Sequence, residues 1–227
     1  MSSTFLKIIA CIFMLIDHIG FCLLPQYSIL RIIGRIAFPI FAFQISVGYT
    51  HTHDKRKYTL RMLLLALVSQ LPYLFFRHIS GYPEWLANVG FTFFIALICL
   101  QVIDLYQQKK NFSILLLLLP LMIAGYLFKV EYSFYGILLV IIFYLFPLQK
   151  SEKNYFQNIV LLTIFFVYIT AIYIVLFHID VIQYYSLMAL IPILLYNRKK
   201  GANLKYVFYI FYPLHLLILG MINYFFI

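Results

Sequence analysis

The sequence contains few charged residues, and its acidic residues are especially rare. Only 11% of the 227 residues are charged and seven are Asp or Glu, whereas a soluble domain is about one quarter charged. Hydrophobic residues make up 65% of the chain, more than the polar surface of a soluble protein could cover. These proportions exclude an ordinary soluble globular domain and favour a protein that lies in a membrane.

Cysteine patterns and the common hydrolase and nucleotide motifs are also missing. Cys11, Cys22 and Cys99 lie in hydrophobic runs, and their spacing fits neither a metal site nor a disulfide framework. The chain has no H-E-x-x-H, no G-x-S-x-G and no glycine-rich phosphate loop. His51 and His53 lie in a polar loop, where we interpret them as solvated side chains. No metal cofactor is therefore expected, and zinc proteolysis, serine hydrolysis and ATP- or nicotinamide-driven chemistry are disfavoured.

Long uninterrupted hydrophobic runs dominate the rest of the sequence. A helix needs about 20 apolar residues to cross about 30 Å of hydrocarbon, and the alternation typical of barrel strands is missing here. We predict nine membrane helices, at residues 5–24, 31–49, 58–76, 88–107, 112–129, 132–148, 156–178, 181–196 and 204–226. The first run carries Asp17 and His18 and lacks a small-residue cleavage site, so we interpret it as an uncleaved helix. The predicted fold is a single all-α membrane domain over residues 1–227.

The basic residues predict the orientation of this bundle in the bacterial cytoplasmic membrane. With nine spans, thirteen of the seventeen Lys and Arg residues fall on the side of the N-terminus. The other side has only Arg31, Arg35, Arg77 and Lys129. By the positive-inside rule the N-terminus is cytoplasmic and the C-terminus lies outside. The net charge of +10 lies in short loops, so we expect anionic lipid headgroups rather than nucleic acid as its partner.

Several polar side chains interrupt the predicted helices, where burial in hydrocarbon is costly and each such residue suggests a functional site. Asp17 and His18 lie in the outer half of helix one, and Arg31 and Arg35 are their candidate partners because residues four apart share one helix face. The topology predicts further polar residues in the outer half or near the middle of the membrane: Gln70, Tyr73, Asn88, Tyr212 and His215.

These residue types fit more than one kind of chemistry. A neutral imidazole beside a carboxylate can act as a general base, and an arginine pair can bind phosphate or stabilise an oxyanion. Such a set suits acyl transfer from an activated donor to a hydroxyl or amine. It also suits a proton-coupled transporter or flippase. A third hypothesis is a non-catalytic envelope assembly protein.

Several motifs resemble those of one known family. They are Lys7-Ile8-Ile9-Ala10 with Met14 and Asp17-His18-Ile19-Gly20, then Gly34 to Phe43 with Gly48-Tyr49, Tyr58 with Arg61, Ser69-Gln70-Leu71-Pro72-Tyr73, Phe208-Tyr209, and Phe211-Tyr212-Pro213-Leu214-His215-Leu216. The chain resembles TraX family proteins in these segments, which cover both ends well and residues 95–200 loosely. TraX proteins are similar in turn to the membrane acyltransferase type 3 superfamily.

The resemblance implies acetyl transfer, with acetyl-CoA or another acyl-CoA as the donor. The acceptor it implies is an envelope peptide such as a pilin N-terminus, a glycan or a cell-wall polymer. In that reading His18 is the base, Asp17 orients it, and Arg35 and Arg31 handle phosphate or transition-state charge. The substrate site would also include Tyr212, His215, Gln70, Tyr73 and Asn88. The donor would come from the cytoplasm and dock on Arg61, Lys55, Arg56 and Lys57.

Overall fold

The computed structural model describes residues 1–148 and 154–226, and most of these residues are helical. Within those ranges, extended pairing is limited to one isolated bridge between Ala87 and Val130. The α-helices are α1 Ser3–Cys22, α2 Ser28–Gly34, α3 Ala37–His51, α4 Lys55–Ile79, α5 Val89–Lys109, α6 Leu118–Leu127, α7 Ser133–Leu145, α8 Tyr155–Phe177, α9 Leu190–Leu194 and α10 Lys205–Phe226. Two 3₁₀ segments, Phe112–Leu117 and Val181–Ala189, lead into α6 and α9.

Each predicted membrane helix corresponds to a helical segment of the structure. Six are long and apolar enough to cross a bilayer, namely Ser3–Cys22, Ser28–His51, Lys55–Ile79, Val89–Lys109, Tyr155–Phe177 and Lys205–Phe226. Three shorter apolar helices are Phe112–Leu127, Ser133–Leu145 and Val181–Leu194. The prediction of an all-α, multi-pass membrane protein is therefore confirmed. The orientation in the membrane stays a prediction, and two of its basic residues, Lys150 and Lys153, lie outside the described residues.

The surface of α4 shows how such a helix meets lipid. Leu60, Leu64, Leu67 and Leu71 recur at intervals of three or four residues and are 53–77% exposed. Residues with this spacing form one stripe along a helix. A contiguous exposed apolar stripe of this kind marks a face covered by something other than water, which for a helix of 25 residues is the hydrocarbon of a bilayer.

The second membrane segment is interrupted between α2 and α3. Arg35 and Ile36 form a turn there, although the sequence stays apolar on both sides. Pro39 lies in the first turn of α3, where a missing N–H is tolerated because the first amides of a helix have no intrahelical partner. The interruption ends α2 at Gly34 and sets Arg31 and Arg35 at the end of a short helix of its own.

The chain divides into two compact units. Unit 1 comprises residues 1–44, 68–84 and 170–227, and unit 2 comprises residues 45–67 and 85–169. In unit 1, α1 packs against α2 and α10. Glycines allow close approach there: a Cβ on Gly20 would lie 2.6 Å from Leu30 Cβ, and one on Gly220 would lie 2.8 Å from Phe75. Small residues at helix contacts are typical of membrane bundles.

Unit 2 is built around α5, which packs against α6 and α7. Its core includes Leu97, Leu100, Ile137 and Leu139, all fully buried. Asn88 caps α5 by accepting a hydrogen bond from the Gly90 amide at 2.9 Å. Capping satisfies one of the amides that a helix start leaves without a partner.

Candidate functional site

An ion-pair cluster in unit 1 joins α1 to the end of α2. The Asp17 carboxylate accepts from Arg35 Nη2 with both oxygens, at 2.7 and 2.9 Å, and from Arg31 Nη1 at 2.5 Å. Arg31 also donates to the Asp17 carbonyl at 3.1 Å, and Arg35 Nη1 lies 3.5 Å from the Gln183 side-chain oxygen. The predicted pairing of Asp17 with the two arginines is confirmed.

The cluster is held where water is scarce. The Asp17 side chain is 11% exposed, and those of Arg35 and Arg31 are 12% and 24% exposed. Two guanidinium groups face one carboxylate, so these three side chains carry an excess positive charge. Gly34 makes the contact possible, because a Cβ at that position would occupy the space of the Asp17 side chain.

Two histidines meet beside this cluster within unit 1. His18 Nδ1 of α1 lies 2.7 Å from His215 Nε2 of α10, and the rings are nearly parallel, with centroids 4.9 Å apart. His215 Nδ1 lies 2.7 Å from the Phe211 carbonyl oxygen. His215 is 5% exposed, and Phe76 packs against His18 with ring centroids 5.2 Å apart.

This geometry selects the tautomers of a neutral histidine pair. A carbonyl oxygen only accepts hydrogen bonds, so His215 Nδ1 must be the nitrogen that donates to Phe211. His215 Nε2 is then the acceptor, and His18 Nδ1 donates to it. The lone pair of His18 therefore resides on Nε2, a nitrogen to which no described residue donates a hydrogen bond.

The role predicted for Asp17 differs from its position in the structure. Sequence reasoning expected this carboxylate to orient His18, but its oxygens bind arginines and His18 is oriented by His215. The physical reason is helix geometry, since successive residues on a helix point in different directions and do not face each other. Asp17 is thus a counter-ion of Arg31 and Arg35.

The other residues predicted for the substrate site divide between the units. Gln70, Tyr73 and Tyr212 belong to unit 1 and are at most 8% exposed, and the Tyr212 ring centroid lies 5.9 Å from that of His215. Asn88 belongs to unit 2, where its amide nitrogen donates to the Ala66 carbonyl at 2.8 Å. That bond and the α5 cap use both ends of the Asn88 amide, so its burial follows from its structural contacts.

A second polar cluster lies in unit 2, around Asp104 of α5. Its carboxylate accepts from Tyr49 Oη at 2.6 Å, from Lys55 Nζ at 2.5 Å and from the Tyr144 hydroxyl. Lys55 Nζ also lies 4.3 Å from the centre of the Tyr49 ring, within range of a cation–π interaction. Three donors on one carboxylate stabilise its ionised form within a helix that is apolar over most of its length.

The remaining basic residues predicted to dock the donor also belong to unit 2. Lys57 pairs with Asp54 at 3.3 Å, and its backbone amide donates to the same carboxylate at 2.9 Å. That amide lowers the pKa of Asp54. Arg61 lies 5.7 Å from the Tyr58 ring centre, and its Nε is buried with no hydrogen-bond partner among the described residues. Arg56 is exposed and makes no ion pair with any described residue.

Sequence reasoning missed Asp104 and Gln183. It assigned the charges of the predicted cytoplasmic face to solvated loops, although Asp104 lies inside the apolar run of α5. An acidic residue within such a run was the available signal. Gln183 carried no comparable signal, because its contact with Arg35 joins residues 148 positions apart. No group of three potential metal ligands occurs anywhere in residues 1–148 and 154–226.

Comparison with known proteins places this architecture in a family. The profile described as TraX protein matches residues 2–223. The chain is 28% identical to the probable fimbrial assembly protein FimC, serogroup H1, of Dichelobacter nodosus, over 94% of this chain and 92% of that protein. It is 23% identical to protein TraX of Escherichia coli, over 66% of this chain and 57% of that protein.

A shorter similarity, 46% identity over 66 residues, links the chain to an uncharacterised protein of Rickettsia prowazekii (strain Madrid E), covering 29% of this chain and 25% of that protein. No solved structure matches the chain. The family profile spans both polar clusters and all ten α-helices except the last residues of α10. The chain therefore belongs to the TraX protein family.

Proposed function

We propose that this protein is a membrane-embedded acyltransferase that uses acetyl-CoA, or another acyl-CoA, as its donor. The acceptor is a hydroxyl or amine of an envelope molecule outside the cytoplasm. The observation that carries the proposal is the hydrogen-bonded pair His18–His215, whose tautomers leave a basic nitrogen on His18. The motifs that resemble the TraX family, Asp17-His18 and Phe211 to Leu216 among them, lead to the same reaction class.

In this mechanism His18 Nε2 removes the proton from the acceptor hydroxyl or amine as the acceptor attacks the thioester carbonyl. His215 Nε2 accepts the hydrogen bond from His18 Nδ1. That bond fixes the proton of His18 on Nδ1 and keeps Nε2 of His18 in its basic form. The carbon–sulfur bond then breaks, the acyl group stays on the acceptor, and His18 returns the proton to the departing thiolate. General base catalysis of this kind contributes about 10²–10⁴-fold to a rate.

The excess positive charge of the Asp17–Arg31–Arg35 cluster supports the same reaction. The carbonyl oxygen becomes negatively charged in the tetrahedral intermediate, and fixed positive charge in a site with little water stabilises it strongly. Asp17 holds both guanidinium groups in fixed orientations through three short contacts. In this proposal the arginines provide the electrostatic field and His18 handles the proton.

The relatives suggest the class of acceptor. One relative is named a probable fimbrial assembly protein, so we propose an envelope acceptor such as a fimbrial or pilus subunit. The same name also suits a second candidate function, an assembly protein without chemistry. Assembly of surface fibres by a strain whose protein carries His18→Asn would distinguish the two, because only the non-catalytic function would survive that change.

The first prediction concerns His18→Asn, a change that keeps a side-chain donor near the position of Nδ1 but removes the base. Purified protein in lipid nanodiscs receives acetyl-CoA labelled in the acetyl group, together with an envelope extract from the host lacking the gene. We expect labelled acceptor with the native protein and a loss of at least roughly 10²-fold with the variant.

His78→Asn is the matched control, because His78 is an exposed histidine of α4. It should transfer label at the native rate. Undiminished transfer by His18→Asn would disprove the assigned base. Absence of labelled acceptor with the native protein, under conditions in which it is folded, would disprove the acyltransferase itself.

A further inference from the structure

An open cavity of about 440 Å³ lies beside the Asp104 cluster in unit 2. Cavities of roughly 300–1,000 Å³ are the size that small-molecule ligands occupy. Its basic lining residues are His53, Lys55 and Arg56. They come from the end of the loop after α3 and the start of α4, on the side that the positive-inside rule assigns to the cytoplasm.

The negative charges of the two acidic residues that line the cavity, Asp54 and Asp104, are each balanced by a lysine. Asp104 is paired with Lys55 and receives two tyrosine hydroxyls. Asp54 receives the amide and the ammonium group of Lys57, a residue that does not line the cavity. Arg56 itself forms no ion pair with a described residue, because Asp104 pairs with Lys55 and Asp54 pairs with Lys57.

The cavity therefore presents a cation to a ligand, together with polar groups that can orient one. Gln101 and Gln108 of α5 also line the cavity, and the Gln101 amide nitrogen donates to Thr59 Oγ1 at 3.0 Å. The Lys55 ammonium group donates a hydrogen bond to Asp104 and lies over the Tyr49 ring. Because an ammonium group has three hydrogens to donate, a ligand in the cavity can also accept a hydrogen bond from Lys55. Guanidinium and ammonium groups around a small polar cavity are the typical recognition set for phosphate.

We propose that this cavity binds the phosphate groups of the acyl donor, with Arg56 and Lys55 as the phosphate ligands and Asp104 as a positioning residue for Lys55. The inference rests on the proposed function in one respect, the identity of the donor as a phosphorylated nucleotide thioester. It adds that the donor is held by its nucleotide end, in a cavity formed within unit 2 alone.

The test measures binding of adenosine 3′,5′-bisphosphate, a soluble probe that carries phosphates but no thioester. The full-length protein is placed in nanodiscs of phosphatidylcholine, which has no net charge, and the probe is titrated in low salt. We expect saturable binding that weakens as salt rises, because phosphate contacts with basic residues are screened by ions. Adenosine without phosphate should not bind.

Arg56→Gln should weaken probe binding at least roughly tenfold, since a hydrogen bond to a charged group contributes about that much. Lys55→Gln should also weaken it, but its loss leaves Asp104 without its ion-pair partner, so Arg56→Gln is the decisive variant. Lys109→Gln is the matched control, because Lys109 is an exposed cation at the end of α5 that does not line the cavity.

Equal affinity in all four proteins, or no binding to the native protein, would overturn the proposal. Equally tight binding of adenosine would do the same. If nanodiscs containing phosphatidylglycerol abolish probe binding to the native protein, the cavity belongs to a lipid headgroup and the donor assignment is wrong.

This outcome is independent of the catalytic test. In the transfer assay Arg56→Gln should raise KM for acetyl-CoA and leave kcat unchanged, the signature of lost uniform binding. His18→Asn should abolish transfer while binding the probe normally. Probe binding without transfer by the native protein would reject the acyltransferase, and with it the acyl donor as the ligand, but would keep the phosphate site. Transfer without probe binding would reject the cavity alone.

Discussion

His18 and His215 of unit 1 differ chemically because they have different numbers of hydrogen-bond partners. His215 is fixed at both nitrogens, by the Phe211 carbonyl and by His18. His18 is fixed at one nitrogen only. A group that is to exchange a proton with a substrate needs a free position within hydrogen-bond reach. The contacts thus distinguish the proton-transferring histidine from its support, although the two rings lie against each other, with His18 partly buried and His215 buried.

At the residue scale, the next prediction concerns Asp17→Asn. The substitution keeps the shape of the side chain but leaves Arg31 and Arg35 facing a neutral group, at distances of 2.5–2.9 Å in the native structure. Removing one partner of a buried ion pair costs about 3–5 kcal/mol because a charge is left without compensation. We expect the free energy of unfolding in detergent to fall by about 3 kcal/mol.

This change is measured by denaturant titration, with unfolding monitored by the fluorescence of Trp85 or by circular dichroism. Glu84→Gln is the control, because Glu84 is an exposed acid of unit 1 that forms no ion pair with Arg31 or Arg35. It should unfold like the native protein. Native-like stability of Asp17→Asn would contradict the view that this carboxylate neutralises the arginines.

At the element scale, Gly34 is a position where α1 and α2 are in close contact. A Cβ added there would overlap the Asp17 side chain, and overpacking of a rigid contact costs about 1–3 kcal/mol. Intrinsic helix propensity has the opposite sign, since Ala is favoured over Gly by about 1 kcal/mol within a helix. Gly34→Ala should therefore lower the unfolding temperature, and Ser28→Ala, at the exposed start of α2, should not.

An unfolding temperature of Gly34→Ala equal to or above the native value would show that the α1–α2 contact is loose. The same experiment reports on the cluster. If the Cβ displaces Asp17 from the arginines, combining Gly34→Ala with Asp17→Asn should cost less than the sum of the two single changes, because residues in contact are not energetically independent.

Hydrophobic patterning predicted the elements well. The predicted span 88–107 is α5, Val89–Lys109, and the predicted span 204–226 is α10, Lys205–Phe226. The break at Arg35 and the 3₁₀ segment Val181–Ala189 were not predicted. Both lie in apolar sequence, and hydrophobicity alone does not distinguish a 3₁₀ from an α-helical hydrogen-bond pattern.

The sequence predicted the contacts of the candidate site only where a charged residue in an apolar region requires a partner of opposite charge. An acid and two arginines in one apolar region have to pair, so the contact of Asp17 with Arg31 and Arg35 followed from sequence. The His18–His215 contact joins residues 197 positions apart, and only packing of α1 on α10 specifies it. The Asp104 cluster similarly depends on Tyr49, Lys55 and Tyr144 meeting across 40–55 positions.

At the scale of the whole molecule, the start of the chain is bonded to the loop before α10. The Met1 amine donates to the Leu195 carbonyl at 2.5 Å, and the Ser3 and Thr4 amides donate to Lys199 and Lys200 at 2.8 and 3.1 Å. These contacts all lie within unit 1. The N-terminus and this loop therefore lie on one side of the bilayer, and the chain crosses an even number of times between them.

The even number decides whether the short segment Val181–Leu194 spans the membrane. Five of the long apolar helices precede the loop, and α6 and α7 change the parity only if one crosses without the other. If α6 and α7 both cross or both do not, Val181–Leu194 supplies the further crossing, although its 14 residues are fewer than the roughly 20 of a typical span. A 3₁₀ segment rises about 2.0 Å per residue instead of 1.5 Å, so Val181–Ala189 extends the reach of this short helix.

Cysteine labelling in whole cells tests this topology, using variants that lack the three native cysteines. An impermeant maleimide should label Trp85→Cys from outside, and should label Lys109→Cys and Lys199→Cys only after the membrane is permeabilised. Trp85 and Lys109 flank the single helix α5 and establish its orientation. If Val181–Leu194 did not cross, Lys199→Cys would be labelled in intact cells together with Trp85→Cys, because the chain would then reach residue 199 after an odd number of crossings.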